Sequence, residues 1–275
     1  MPVSIRTMKP DDIAATTEVV LNGGWGDRQV WFSFAASHDQ CVPFVAELDD
    51  EIVGTAIATI NGNAGWVGTV FVAPQARGRG IGGALTDATI DALEAAGCRT
   101  LVLVATDEGR PIYERRGFAV ETSYFMIEAP GTGSGVSPLR PFRGEDLEEV
   151  VMLDRKATGE DRAHLFREFA TETSARCMGA EDGALRGFAV RAPWGGWATV
   201  APTLEDGIAL LNARRAVAPP DKTIRAGVLG ENQDALERLL GTGWRETRHA
   251  PRLIRGEPLD WQPTWLWGQF NFALG

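Results

Sequence analysis

The chain has 275 residues, 44% of them hydrophobic and 23% charged, which is enough to bury two cores of ordinary domain size. Net charge is −10; residues 1–130 carry 9 basic and 17 acidic residues, so that half alone holds −8. This balance repels phosphate backbones, argues against nucleic-acid binding and draws in cationic small molecules. Cys41, Cys98 and Cys177 have no metal-ligand spacing and suit no disulfide framework. The opening MPVSIRTMKPDDI has no apolar core of signal-peptide length, and no apolar run approaches the roughly 18 residues of a membrane span. A cytoplasmic protein without metal or membrane association is the expectation.

The predicted elements alternate. Ile5–Thr7 reads as a short strand before Lys9-Pro10 and a helix whose first turn carries Asp11 and Asp12, where the helix dipole favours acids. Phe44–Leu48 and Val53–Ile60 are neighbouring strands turned by Asp49-Asp50-Glu51, and Trp66–Val72 is a third strand. Ile81, Leu85, Ala88, Ala92 and Ala96 recur at helical spacing, and Gly97 ends that helix. Thr100–Ala105 is a buried strand, Pro111 opens a short helix that Gly117 closes, and Ala119–Ile127 returns as a strand.

The plan then repeats. Leu139–Leu147 matches Ile5–Ile13, Trp197 through Pro202 answers Trp66 through Pro74, and Gly243-Trp244 answers Gly117-Phe118. Pro130-Gly-Thr-Gly-Ser-Gly135 between the copies supports neither helix nor strand. The expected organisation is a first domain over 1–129, a linker over 130–136 and a second domain over 137–275.

The segment from Val70 to Leu85 leaves a strand, turns through Gly78, Gly80, Gly82 and Gly83, and enters a helix. Glycines let successive N–H groups converge on one point, and the helix N-terminus adds roughly half a positive charge there. A phosphate or pyrophosphate site follows, with Arg77 and Arg79 beside it. The glycine order fits neither the dinucleotide-binding fingerprint nor the P-loop.

Gln75-x-x-Gly78-x-Gly80 after Val72-x-Pro74 resembles the acetyl-CoA motif of the GNAT superfamily of N-acyltransferases, and Tyr113-Glu114-Arg115-Arg116-Gly117-Phe118 resembles that family's Y-x-x-x-G-F segment. The resemblance covers residues 3–128. It implies an α/β fold of two tandem GNAT-like domains, each a mixed twisted sheet flanked by helices with splayed central strands. It also implies an N-acetyltransferase that passes acetyl from acetyl-CoA to a primary amine of a small molecule or peptide by direct attack. Pantetheine would pair along Val70, Phe71 and Val72, and the pyrophosphate would rest on the amides of Arg77, Gly78, Arg79, Gly80, Ile81, Gly82 and Gly83. Thr106 stands where relatives often carry an asparagine that contacts the cofactor. Tyr113 matches the tyrosine that protonates the leaving thiol.

The general base stays open. Trp66–Val72 carries no acid; Glu47 on an earlier strand and a water-mediated base are the alternatives. A non-catalytic acetyl-CoA sensor and a transferase of another acyl group share the same motifs. The second copy has Glu205 and Asp206 where a phosphate would lie and Leu239 in place of the tyrosine, with Asn232 and Ala235 seven and four residues before it, so it reads as catalytically silent. The aromatic stretch Trp261–Phe272 either lines an acceptor pocket or buries a domain interface. The acceptor and the oligomeric state are not fixed by the sequence.

Overall fold

The computed structural model describes residues 3–135, 139–179 and 184–275; position 136, the end of the expected linker, lies outside them. The chain divides into two compact units. The first comprises Met1–Ala119, Leu253–Pro258 and Phe272–Gly275, and the second comprises Val120–Arg252 and Leu259–Asn271.

In unit 1 the strands β1 (Ser4–Thr7), β2 (Cys41–Leu48), β3 (Glu51–Asn61), β4 (Ala64–Val72) and β5 (Thr100–Val104) lie side by side in that order. Helices α1 (Ile13–Asn22) and α2 (Gln29–Ser37) precede β2; α3 (Ile81–Ala95) joins β4 to β5, and α4 (Arg110–Glu114) follows. The β2–β3 turn uses left-handed Asp49 (φ 54°) and Asp50 (φ 63°), the conformation a two-residue hairpin turn needs and that aspartate tolerates. Ala58, Val67, Leu93, Leu101 and Leu103 bury the face that carries α3.

Beyond β5 the unit takes Leu253–Gly256, the end of β12 (Arg245–Gly256), as its next strand. Glu257 N–H donates to the Arg99 carbonyl (3.1 Å) and the Thr100 hydroxyl to the Glu257 carbonyl (2.7 Å). The strand expected there, β6 (Ala119–Pro130), falls almost wholly in unit 2 and pairs with β11 (Thr223–Leu229), Ile127 opposite Ala226. The units therefore do not follow the contiguous division at 129. Both strands are 12 residues long, and only long-range pairing decides which neighbours each takes.

Unit 2 runs through the same succession of elements: β7 (Arg140–Pro141), α5 (Leu147–Thr158), α6 (Ala163–Phe169), β8 (Ala175–Gly179), β9 (Leu185–Arg191), β10 (Trp197–Val200), α7 (Leu204–Val217), β11, α8 (Gln233–Leu240) and β12. A detail recurs with them. Arg6 Nη1 donates to Asp12 Oδ2 (2.6 Å) and Lys9 N–H to the same oxygen (2.6 Å); Arg140 Nη1 and Arg143 N–H do so to Asp146 Oδ2 (both 2.7 Å). Each aspartate closes the entry to a helix and fixes the strand before it.

The glycine-rich stretch 130–135 is not a free tether. Gly131, Thr132, Gly133 and Gly135 N–H donate to the carbonyls of Lys222, Arg215, Ala218 and Ala216 at 2.8–3.0 Å, and a Cβ at Gly131 would collide with the Ala218 carbonyl. Two of the tail aromatics are core. Phe270 is fully buried with its ring centroid 5.5 Å from those of Phe166 and Phe169, and Trp267 is fully buried with its indole N–H on the Ala201 carbonyl (3.1 Å). Among the described residues no helix is long and apolar enough to cross a membrane. Trp267→Ala should lower the unfolding free energy by about 3–5 kcal/mol, the usual cost of emptying a buried indole site, and shift the urea midpoint down; an unchanged midpoint would remove Trp267 from the core.

Candidate functional site

The site begins with a parting of strands. β4 and β5 pair in parallel only at Ala64–Thr100, Gly65–Leu101 and Trp66–Val102, although β4 runs on to Val72. On its other side β4 stays paired with β3, and the register there breaks: Ile57 faces Gly68 and Thr55 faces Phe71, so Thr69 and Val70 oppose Ala56 alone. This is a β-bulge, and Thr69 carries φ 52°, a conformation that costs a β-branched residue energy and turns the strand. The indole N–H of Trp31 holds the Thr69 hydroxyl (3.0 Å), and Phe71 packs edge-on to Trp25 at 5.3 Å.

Beyond the bulge the backbone groups alternate in direction. Ala73 N–H donates to the Val53 carbonyl (2.8 Å), so the groups of Val72, and by alternation Val70, turn toward the side that β5 has left. Val70 and Val72 are half-buried, while the Phe71 side chain is buried and faces α1. Of the three expected strand residues, Val70 offers both backbone groups and Val72 its N–H, its carbonyl being taken by Arg77 Nε (3.2 Å), while Phe71 shapes the core.

The glycine loop behaves as its composition demands. Gly78 (φ 77°) and Gly80 (φ 78°) are left-handed, and Gly80 caps α3. The first intrahelical bond is Ala84 N–H to the Gly80 carbonyl (3.0 Å), which leaves Ile81, Gly82 and Gly83 N–H at the open N-terminus. Arg77 departs from expectation. Its N–H is spent on the Pro74 carbonyl (3.3 Å) and its Nε on the Val72 carbonyl (3.2 Å), so it braces the turn, and the cradle begins at Gly78. Arg79 is exposed beside it.

Tyr113 is 8% exposed and belongs to the apolar cluster of Val67 and Val70 from β4 with Leu103 and Ala105 at the end of β5. Its ring meets Phe118 edge-on at 6.3 Å. Its hydroxyl has no hydrogen-bond partner among the described residues. Burial pushes the phenol up to about 12, with Arg116 pulling the other way. The Thr106 hydroxyl lies close by and accepts Gly109 N–H (3.2 Å), capping the turn into α4 while its own proton stays free to donate. Arg116 fastens α4 to α3 through Asp87 Oδ2 (2.7 Å) and the Ile112 carbonyl (2.9 Å).

Glu47 is unsuited to be the base. Arg6 hydrogen-bonds its carboxylate and holds it below the usual range, a weak proton acceptor. Thr69 and Trp31 carry no signal in the sequence, because a threonine inside a β-rich run does not mark a bulge.

In unit 2 the corresponding place is filled from within. The tail strand β13 (Leu266–Gly268) pairs with β10, Val200 opposite Leu266, and packs on β11. Asn232 Nδ2 donates to the Thr264 carbonyl (2.9 Å), and the Trp267 ring lies where a Cβ on Gly207 would be. α7 has no glycine loop: the Thr203 hydroxyl accepts Asp206 N–H (3.2 Å), and the Asp206 carboxylate, paired with Arg186, sits in its first turn. Leu239 is fully buried.

With this geometry in view, known proteins show what the chain is similar to. Residues 11–118 match the acetyltransferase (GNAT) family. Solved structures extend the likeness in fold over the whole chain. A Pyrococcus horikoshii protein assigned as an acetyltransferase superposes with TM-score 0.79 at 22% identity, covering 99% of this chain and 96% of that one. A GCN5-related N-acetyltransferase of Anabaena variabilis gives 0.60 at 14% identity, over 92% and 72%. A fungal multi-domain β-N-acetylglucosaminidase with a GCN5-related glucosamine N-acetyltransferase region gives 0.64 at 12% identity, over 92% and 38%. The GNAT segment includes the β4 bulge, the glycine loop and Tyr113. Gly80→Glu adds a side chain at left-handed φ and a carboxylate at the cradle; it should abolish acetyl-CoA binding in calorimetry while circular dichroism stays native. Retained binding would move the phosphate site elsewhere.

Proposed function

We propose that unit 1 transfers an acetyl group from acetyl-CoA to a primary amine of a small molecule or peptide, with Tyr113 as general acid. The observation that carries this reading is the parting of β4 from β5: open strand-edge groups at Val70 and at the Val72 N–H, open helix amides from Ile81 and the unbonded Tyr113 hydroxyl border the same divergence. The edge suits the pantetheine amides as an added strand, the amides suit the pyrophosphate, and Thr106 donates to a cofactor carbonyl.

A neutral amine attacks the thioester carbonyl, the C–N bond forms, and the C–S bond then breaks. Tyr113 gives its proton to the departing sulfur and is reprotonated from solvent. A phenol raised to about 12 is a weaker acid than a thiol of about 8.5, so the proton moves late, as negative charge gathers on sulfur. The same apolar surroundings raise the thiol as well and narrow the gap. With Glu47 held by Arg6, the acceptor sheds its proton to water.

Unit 2, with its tail strand on β10 and Asp206 at the head of α7, serves as a silent second copy, and one acetyl-CoA binds per chain. A sensor without turnover is the second reading; the absence of an acid on β4 favours it, and release of free thiol in the presence of amines decides between them.

Tyr113→Phe should lower turnover about 10²–10⁴-fold with cofactor affinity nearly unchanged. In the unaltered protein kcat/KM should climb toward the amine's pKa, about 10.4 for a lysine-like acceptor, with no descending limb from Tyr113 until pH nears 12, because the phenol stays protonated below that. A stopped-flow pH profile that turns down near 8 would assign the acid to another group.

A further inference from the structure

On the face of β4 that carries α3, Val67 and Val70 pack in one cluster with Leu93 and Tyr113, and Val72 lies against Gly82. The opposite face is covered from two directions. The segment Phe272–Gly275 lies over its first part: Asn61 Nδ2 donates to the Leu274 carbonyl (2.8 Å), a Cβ on Gly68 would collide with Ala273, and Gly275 lies against the Trp66 indole. Over its last part the Phe71 ring fills the space beside Gly23 at the end of α1. Trp66, Gly68 and Phe71 are buried as a result. Thr69 between them is only half-buried, and β4 carries no other hydroxyl, amide or charged side chain.

The Thr69 hydroxyl is aimed and incompletely used. A hydroxyl has one proton to donate and two lone pairs with which to accept. The indole N–H of Trp31, a residue 2% exposed, takes one lone pair (3.0 Å) and fixes the side chain from the core. The other lone pair and the proton have no partner among the described residues. The backbone beneath is strained, with φ 52°, where glycine would sit without cost. Thr69 also adjoins Val70, whose backbone groups turn to the open edge and whose side chain packs with Tyr113. A thioester on that edge is closed off by α3 and Tyr113 on one face, so an amine reaches it from the face of Thr69.

We propose that Thr69 is a catalytic residue whose hydroxyl holds the attacking amine, with Trp31 as the residue that positions it. The free lone pair of Oγ1 accepts an N–H of the neutral amine, which turns the nitrogen lone pair to the thioester carbon. As the C–N bond forms, that proton passes to Oγ1 while the hydroxyl's own proton passes to water, so the threonine ends unchanged. This supplies a path for the proton on a strand that has no acid, and it rests on the amine-acetylation reading above.

The experiment measures thiol release from acetyl-CoA with a panel of primary amines, and acetyl-CoA affinity by calorimetry. The proteins are the unaltered chain, Thr69→Ala, Thr69→Ser, Thr69→Gly, Trp31→Phe and the Trp31→Phe/Thr69→Gly double variant. Thr69→Ala should lower kcat/KM for the amine about tenfold to a hundredfold, the usual weight of one hydrogen bond to a group that gains charge, with acetyl-CoA affinity unchanged. Thr69→Ser should recover most of that loss. Thr69→Gly suits left-handed backbone and should show the alanine loss even if the alanine variant does not fold. Trp31→Phe keeps a ring and frees the hydroxyl to rotate; it should cost less than Thr69→Gly and add nothing to it in the double variant. Equal turnover in the serine and alanine variants, full turnover in Thr69→Gly, or additive losses in the double variant would overturn the assignment. Acetyl-CoA affinity falling in step with turnover would make Thr69 structural and overturn it too. An unaltered protein that releases no thiol with any amine would instead refute the amine-acetylation reading beneath it.

Discussion

Val67–Val72 of β4 continue after β5 has turned away, and a buried strand edge in a folded protein must find partners for its amides and carbonyls. Much of unit 1 follows from that one constraint. The bulge at Thr69 bends β4, Trp31 and Trp25 hold the bend from the α1–α2 side, and Phe71 is left as a buried anchor between Val70 and Val72. At the end of the same strand Arg77 closes the turn, and Gly80 starts α3 with its first amides directed outward. Tyr113 closes the remaining side through an apolar cluster that includes both diverging strands.

The two units answer the same need differently. In unit 2 the edge of β10 is taken by β13, an indole N–H from Trp267 meets the Ala201 carbonyl, and Asn232 meets the Thr264 carbonyl. The head of α7 is likewise satisfied by Thr203 and Asp206, the aspartate supplying from within the negative charge that a helix N-terminus favours.

Much of this is visible in the residues alone, for reasons that are local. Strand and helix periods, Gly97, Pro111 and Gly117 mark the elements to within a few residues, and Gly78 and Gly80 stand where left-handed backbone is required. The likeness of Ile5–Ile13 to Leu139–Leu147 carries into matching Arg6–Asp12 and Arg140–Asp146 pairs. What escapes the sequence depends on distant partners. Which neighbours β6 and the end of β12 take is decided by long-range pairing. The glycines of 130–135 look like a tether until Lys222 and Ala218 are brought beside them. Glu47 is one of two candidate bases until Arg6 is seen to hold it, and the tail's choice between pocket and buried interface stays open until Phe270 is found among Phe166 and Phe169.

The central claim is that the diverging edge of β4 and the glycine loop of unit 1, and not their counterparts in unit 2, receive the cofactor. Amide hydrogen exchange with and without acetyl-CoA tests it most directly. Protection should appear at 70–72 and 78–83, with the amides of 197–207 exchanging at the same rate in both conditions. Protection confined to 197–207, or none at 78–83 under saturating cofactor, would contradict the account.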